Sequence, residues 1–209
     1  MAVDYVDAYE AGWRIFPLHP MTATMECTCD TEGCQAAGKH PRNSAWQHTP
    51  QWDSVQMAYL EDDEGIFGGN QLQDGYGIVV NTSGLLVVDV DPRNGGTESA
   101  KQLGSIRSAC GFIVRTGGGG EHWYFLNASE KALRQTLQDY PGIDFKSTGY
   151  VVGPGSLHRS GERYEAINGC PAGTGKAPVE LLELLERPER GEFTIGKVGG
   201  VTQGQLAAL

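Results

Sequence analysis

The order of apolar runs between residues 85 and 145 limits the fold more than any other feature of this chain. Residues 85–90 (LLVVDV) form a β-branched, apolar run that reads as a buried strand. Residues 97–103 read as a helix. Residues 112–115 and 122–126 are two further strands, separated by the four glycines 117–120. Residues 131–137 read as a second helix and residues 143–145 as a fourth strand.

Strand, helix, strand, strand, helix, strand is the βαββαβ unit of ferredoxin-like and RNA-recognition-motif-like (RRM-like) sheets. The first and third strands then lie side by side at the centre, and the fourth flanks the first. Two helices cover one face, and the other face is open to hold a site. Before this unit, residues 3–11 suggest a short helix stopped by Gly12, and 13–18 (WRIFPL) an edge strand carrying Pro17. Residues 76–80 are expected to form a hairpin with 85–90. Residues 54–60 suggest a helix, and 61–64 an acidic, solvated helix end. After the unit, 150–152 and 164–167 read as short strands. Residues 178–185 (PVELLELL) read as a helix opened by Pro178. The expected class is α+β, an RRM-like catalytic sheet with an N-terminal α/β portion and a small zinc-binding insert at about 21–43. Residues 1–187 form one domain, and the Gly-rich, polar stretch 188–209 is a tail or linker.

Composition removes several alternatives. Thirty of the 209 residues are glycine, but no G-X-Y period accompanies them, so they mark tight turns and not collagen. Hydrophobic residues make up 39% and charged ones 20%, a balance that supports a packed core. Sixteen basic residues against 26 acidic ones give a net charge of −10, the wrong sign for a protein that coats long duplexes through phosphates. No apolar run is long enough to span a membrane, and the first residues carry acids where a secretion signal needs Lys or Arg. The chain is therefore expected in the cytoplasm. Five cysteines, three of them within eight residues, suggest metal and not disulfides.

Carboxylates mark the candidate site. Asp89 and Asp91 close the first strand of the unit and share a face, since side chains alternate along a strand. By themselves they read as a strand-end turn, with Asp91-Pro92 opening the loop. Asp144 shifts the balance. It sits in Ile143-Asp144-Phe145-Lys146, on the strand that should flank the first, with Lys146 on its own face. Three carboxylates converging there suit a hard cation, Mg²⁺ or Mn²⁺. His122 and Tyr124 on the third strand should face the same site, with Trp123 and Phe125 turned to the helices. His122 reads either as a phosphate donor or as a satisfied buried histidine. The loop 117–120 reads either as backbone that approaches a phosphate or as a simple turn. Gly173-Thr174-Gly175-Lys176-Ala177 lacks both the earlier glycine and the Ser or Thr of a phosphate-binding P-loop.

Cys27, Cys29, Cys34 and His40 form C-x-C-x4-C-x5-H in a segment with few apolar residues. Four such ligands suit tetrahedral, structural Zn²⁺, with His19 and His48 as competing ligands. Lys39 and Arg42 add positive charge beside it. Cys110 and Cys170 remain as structural residues.

Several motifs in order resemble the Prim-Pol domain of bifunctional DNA primase/polymerases, within the archaeo-eukaryotic primase superfamily. They are Gly12-Trp13 with Phe16-Pro17-Leu18, then Gly38-Lys39-His40-Pro41, then Ser83-Gly84-Leu85 leading to Val88-Asp89-Val90-Asp91 and Gly95-Gly96. Arg115-Thr116 and the four glycines lead into Glu121-His122 and Tyr124-Phe125, followed by Gly142-Ile143-Asp144. Gly149-Tyr150-Val151-Val152, Pro154, Ser156-Leu157-His158, Ser160-Gly161 and Tyr164 complete the set. The resemblance covers about residues 9–185.

The resemblance implies a template-dependent DNA primase/polymerase of a phage or other mobile element. Asp89, Asp91 and Asp144 would be its catalytic, metal-binding acids, and His122, Lys146 and Arg115 would contact the incoming nucleotide. It implies Mg²⁺ or Mn²⁺ for catalysis, a DNA template, NTPs or dNTPs, and a replicative helicase, separate or fused in a longer chain. Two rivals are an RRM-like module that binds single-stranded nucleic acid by stacking on Tyr124, and a metal-dependent nuclease.

Overall fold

The computed structural model describes residues 2–22, 24–29, 31–52 and 75–187. The expected helix at 54–60, the acidic run at 61–64 and the tail from 188 lie outside the described residues. Eight strands are present among them: β1 (Ile15–Pro17), β2 (Tyr76–Val79), β3 (Leu85–Val90), β4 (Phe112–Arg115), β5 (Glu121–Leu126), β6 (Ile143–Lys146), β7 (Tyr150–Val152) and β8 (Glu165–Asn168). The helices are α1 (Tyr5–Glu10), α2 (Gly96–Gln102), α3 (Gly104–Ser108) and α4 (Val179–Leu185).

Local chemistry explains the entry to the fold. Asp4 caps α1 by accepting the Val6 N–H at 2.8 Å, and Asp7 returns the favour by accepting the Asp4 N–H at 3.0 Å. Gly12, at φ 80°, turns the chain out of the helix. β1 follows as an edge strand of the antiparallel sheet β1-β2-β7, where Pro17 costs no ladder hydrogen bond.

The second sheet is antiparallel with order β6-β3-β5-β4-β8. β3 and β5 lie side by side, and β6 flanks β3. Side-chain alternation splits this sheet between two cores. Leu86, Val88, Ile113, Trp123, Phe125 and Phe145 pack with Leu103, Ile106, Leu181 and Leu185 from the helical side. Leu85, Val87, Phe112, Val114 and Tyr124 pack with Trp13, Ile15, Ile78 and Val151 of the N-terminal layer.

Three expectations are corrected here. First, β2 and β3 are not a hairpin: β2 pairs with β1 and β7, β3 with β5 and β6. The turn between them, closed by the Leu85 N–H on the Val80 carbonyl at 3.0 Å, carries the chain from one sheet to the other. A β-branched run says that a strand is buried, not which strand is its partner. Second, residues 131–137 form no helix. Their backbone groups are taken by tertiary partners: the Arg134 N–H donates to the Leu185 carbonyl at 2.8 Å, and the Gln135 carbonyl accepts from Phe145 at 2.7 Å. The unit is therefore βαββ followed by an irregular link and β6. Third, the face opposite the helices is largely closed by the three-stranded sheet and α1. Among the described residues, its end beside Asp89 and Asp144 opens into a cleft of about 580 Å³.

α4 begins one residue later than expected, with Pro178 at its N-cap and not inside its first turn. Among the described residues, no helix is long and apolar enough to cross a membrane.

Candidate active site

β3 brings Asp89 to the cleft between two partners fixed by register. Asp89 lies opposite His122 of β5 on one side and Asp144 of β6 on the other. Side chains directly opposite in an antiparallel pair stand close on one face. The Asp89 Oδ1 is 3.5 Å from the His122 Nε2. Lys146, two residues beyond Asp144 on the same face, sets its Nζ 3.7 Å from Asp89 Oδ2 and 3.4 Å from Asp144 Oδ2. One ammonium thus sits between two carboxylates that would otherwise repel each other.

Asp91 lies just past the end of β3 and lines the same cleft. It also caps the 3-10 turn Pro92–Asn94. Its Oδ1 accepts from the Arg93 backbone N–H at 3.0 Å and from Arg93 Nε at 2.9 Å. Its Oδ2 accepts from Arg93 Nη2 and Asn94 Nδ2, both at 2.9 Å. The hydrogen bonds from the Arg93 guanidinium hold the Asp91 carboxyl below the usual carboxylate range. The residue that caps the turn is therefore also the one that lines the cleft. Behind it, the Asp91 N–H donates to the Gly142 carbonyl at 2.8 Å and the Gly96 N–H to the Asp91 carbonyl at 2.9 Å. A Cβ on Gly96 would fall 2.6 Å from both carbonyl oxygens, so only glycine allows the approach that ties Asp91 to the segment entering β6.

His122 is buried, and burial lowers its pKa below the ordinary histidine value. Its Nδ1 lies 3.4 Å from the Tyr124 hydroxyl, which leaves Nε2 on the cleft side. A neutral imidazole there can donate one hydrogen bond. Tyr124 shares that face but is fully buried, its ring stacked on Trp13 with centroids 5.5 Å apart. It offers no surface to a base. The glycine loop is a tight turn: the Gly119 and Gly120 N–H groups are spent on the Thr116 carbonyl at 2.9 Å and hydroxyl at 3.0 Å. Gly117 packs under His158, and Gly118 lines the cleft.

Arg115 is not brought to this site. It follows Ile113 onto the helical side of β4, where its guanidinium lies 3.7 Å from the Glu165 carboxylate, both side chains well exposed. The cleft takes different cations, Lys39 and Arg93. Sequence reading missed both as site residues. The proximity of Lys39 to a metal-ligand motif was visible, but its reach into this cleft depends on how the insert folds back.

The insert gathers its four predicted ligands. The ligand atoms of Cys27, Cys29, Cys34 and His40 all lie within 4.8 Å of one another. His40 Nε2 is 3.1 Å from Cys27 Sγ and 3.5 Å from Cys34 Sγ. Thiolates at about 2.3 Å on a tetrahedron stand about 3.8 Å apart, so the set fits Zn²⁺. Burial pushes the Cys27 thiol up to about 11, while a hydrogen bond from Thr31 lowers Cys29 to about 6. His19 stacks on the His40 ring at 4.6 Å and is outside the group, as is His48. Cys110 is buried, its thiol directed at the Phe112 carbonyl at 3.1 Å, whereas Cys170 is exposed.

The model of the N-terminal domain of bifunctional DNA primase/polymerases, Prim-Pol, matches residues 5–188. The chain belongs to the Prim-Pol family. A search of curated proteins gives no significant match. In this Prim-Pol domain the matched span includes both sheets, the cleft and the cysteine-rich insert.

Proposed function

We propose that this Prim-Pol domain catalyses template-directed, metal-dependent nucleotidyl transfer from NTPs or dNTPs, as a DNA primase/polymerase. The observation that supports it best is the register pairing of Asp89 with Asp144 and with His122 at the open end of one sheet. The strand order β6-β3-β5-β4 supports reading that sheet as an RRM-like one that has lost its second helix.

The donor set is chemically suited to Mg²⁺ or Mn²⁺, since carboxylate oxygens are the ligands hard cations prefer. Asp89, Asp91 and Asp144 would hold the ions. Ions held there would supply charge neutralisation at the reacting and leaving oxygens. In the reaction a primer 3′-hydroxyl oxygen bonds to the α-phosphorus, the α–β bridging P–O bond breaks, and pyrophosphate leaves with that electron pair. The hydroxyl proton passes to solvent or a nearby base. His122 Nε2 and the Lys146 ammonium would donate to phosphate oxygens. Such transfers depend on positioning and charge neutralisation more than on covalent catalysis.

The rest of the reading follows from this activity. Residues 1–187 would form the catalytic unit, Zn²⁺ would be a structural ion, and the setting would be replication of a phage or mobile element in the cytoplasm, beside a helicase. The burial of Tyr124 disfavours a stacking-only binding module.

The test is synthesis on a single-stranded template with labelled NTPs and dNTPs. Wild type should make product only with Mg²⁺ or Mn²⁺. Asp89→Asn and Asp144→Asn should each lose at least about 10²-fold in rate while keeping a near-wild-type melting temperature. Strand cleavage without incorporation would favour a nuclease and overturn the reading.

A further inference from the structure

We propose that Lys39 binds the phosphates of the incoming nucleoside triphosphate, and that the cysteine-rich insert exists in part to present it. This rests on the polymerase reading of the cleft and extends it to a residue and a segment that reading does not use.

Three observations converge. Lys39 lines the cleft with Asp89, Asp91, Arg93, His122 and Lys146, although it belongs to a segment separated from them in sequence. Its side chain is half-buried. Arg93 and Lys146 are engaged with carboxylates, but among the described residues no ion pair holds Lys39. A cation kept partly out of water without a carboxylate partner is suited to an anion supplied by a ligand. The triphosphate is the anion this cleft would receive.

The backbone of Lys39 is held on every side. The Tyr150 hydroxyl of β7 donates to its carbonyl at 2.8 Å, and its own N–H donates to the Ala36 carbonyl at 2.9 Å. The next residue is the metal-ligand candidate His40, whose carbonyl accepts from His19 at 2.9 Å. The preceding Gly38, at φ 71°, would bring a Cβ to 3.0 Å from the Leu157 carbonyl. Lys39 is thus fastened to the three-stranded sheet on one side and to the Cys27, Cys29, Cys34 and His40 cluster on the other. A segment with so few apolar residues has little else to order it.

The test measures nucleotide binding without turnover, by calorimetric titration of dATP in Ca²⁺ with zinc-replete full-length protein. Lys39→Gln should weaken dATP at least about tenfold, with a much smaller effect on dAMP, while Lys39→Arg should restore most of the affinity. Cys29→Ser should release zinc and weaken dATP to a similar degree. The double variant Lys39→Gln/Cys29→Ser should be no weaker than Lys39→Gln, because both changes remove the same contact. Near-ultraviolet circular dichroism should stay unchanged for Lys39→Gln. If Lys39→Gln binds dATP as wild type does, while His122→Ala and Asp89→Asn do not, this inference falls and the polymerase reading stands. If Cys29→Ser loses zinc yet keeps wild-type affinity, the role of the insert falls. If wild-type protein binds no triphosphate at all, both the inference and the polymerase reading fall.

Discussion

The Arg93 guanidinium closes on both carboxylate oxygens of Asp91, Nε on Oδ1 and Nη2 on Oδ2, each at 2.9 Å. A carboxylate proposed to hold a metal is thus already neutralised by a neighbour two residues away. Such a fork is geometrically good, but the Arg93 side chain is 70% exposed, so the pair is readily exchanged for another cation.

Arg93 therefore competes with a divalent ion for Asp91. Arg93→Ala should tighten Mn²⁺ binding in the absence of nucleotide by at most about fivefold, because so exposed an ion pair is easily given up. The turn should survive, because the cap from Asp91 to the residue-93 backbone N–H remains. Calorimetric titration with Mn²⁺ checks this, and weaker binding would remove Asp91 from the ligand set.

Arg115→Ala should leave dATP affinity and the rate of synthesis within about twofold of wild type. Its partner Glu165 lies away from the cleft, and a pair this exposed contributes little to folding. A tenfold loss of affinity would mean that Arg115 reaches substrate in a state not described by this structure.

Glu121 should make the fold acid-sensitive. Its carboxylate accepts from Arg107 Nε at 2.7 Å, Arg107 Nη2 at 2.8 Å and Trp123 Nε1 at 2.7 Å. The Arg107 hydrogen bonds lower its pKa below the ordinary glutamate value. The unfolded chain then binds this proton more readily, so the stabilisation is complete above the unfolded glutamate pKa and is lost as pH falls through the lower folded value. Glu121→Gln should cost about 1 kcal/mol at pH 7 after allowance for partial exposure. It should also flatten the fall in stability seen in urea melts of wild type towards pH 3. An unchanged pH profile would show that the contact contributes nothing.

Much of this site was legible because strand alternation is a strict rule. Once Asp89, His122 and Asp144 are placed on three strands, their shared face follows from counting, and the βαββ order supplies the neighbours. The Cys and His cluster was legible for a related reason: a segment poor in apolar residues has few ways to fold except around its Cys and His. What escaped was set by tertiary partners. Residues 131–137 carry a helical pattern, yet Leu185 and Phe145 take their backbone groups. The face that should have stayed open is closed by Trp13 and the residues around it, which no local pattern assigns to β5. Arg115 stands outside the cleft because its parity with Ile113 turns it to the helical side, which the motif alone does not say. Lys39 escaped because its place in the cleft comes from the insert folding back onto β7.

The pairing of β3 with β6 also has a meaning in time. Asp89 and Asp144 are brought together only when β6 docks along the far edge of β3, across a wide stretch of chain. Contacts so distant in sequence carry a closure entropy that local contacts do not. In a chain built from its N-terminus, Asp89 is made well before Asp144. The two acids thus become neighbours only after the intervening chain exists, so half-made copies would not hold an assembled acidic cleft that could sequester metal or nucleotides.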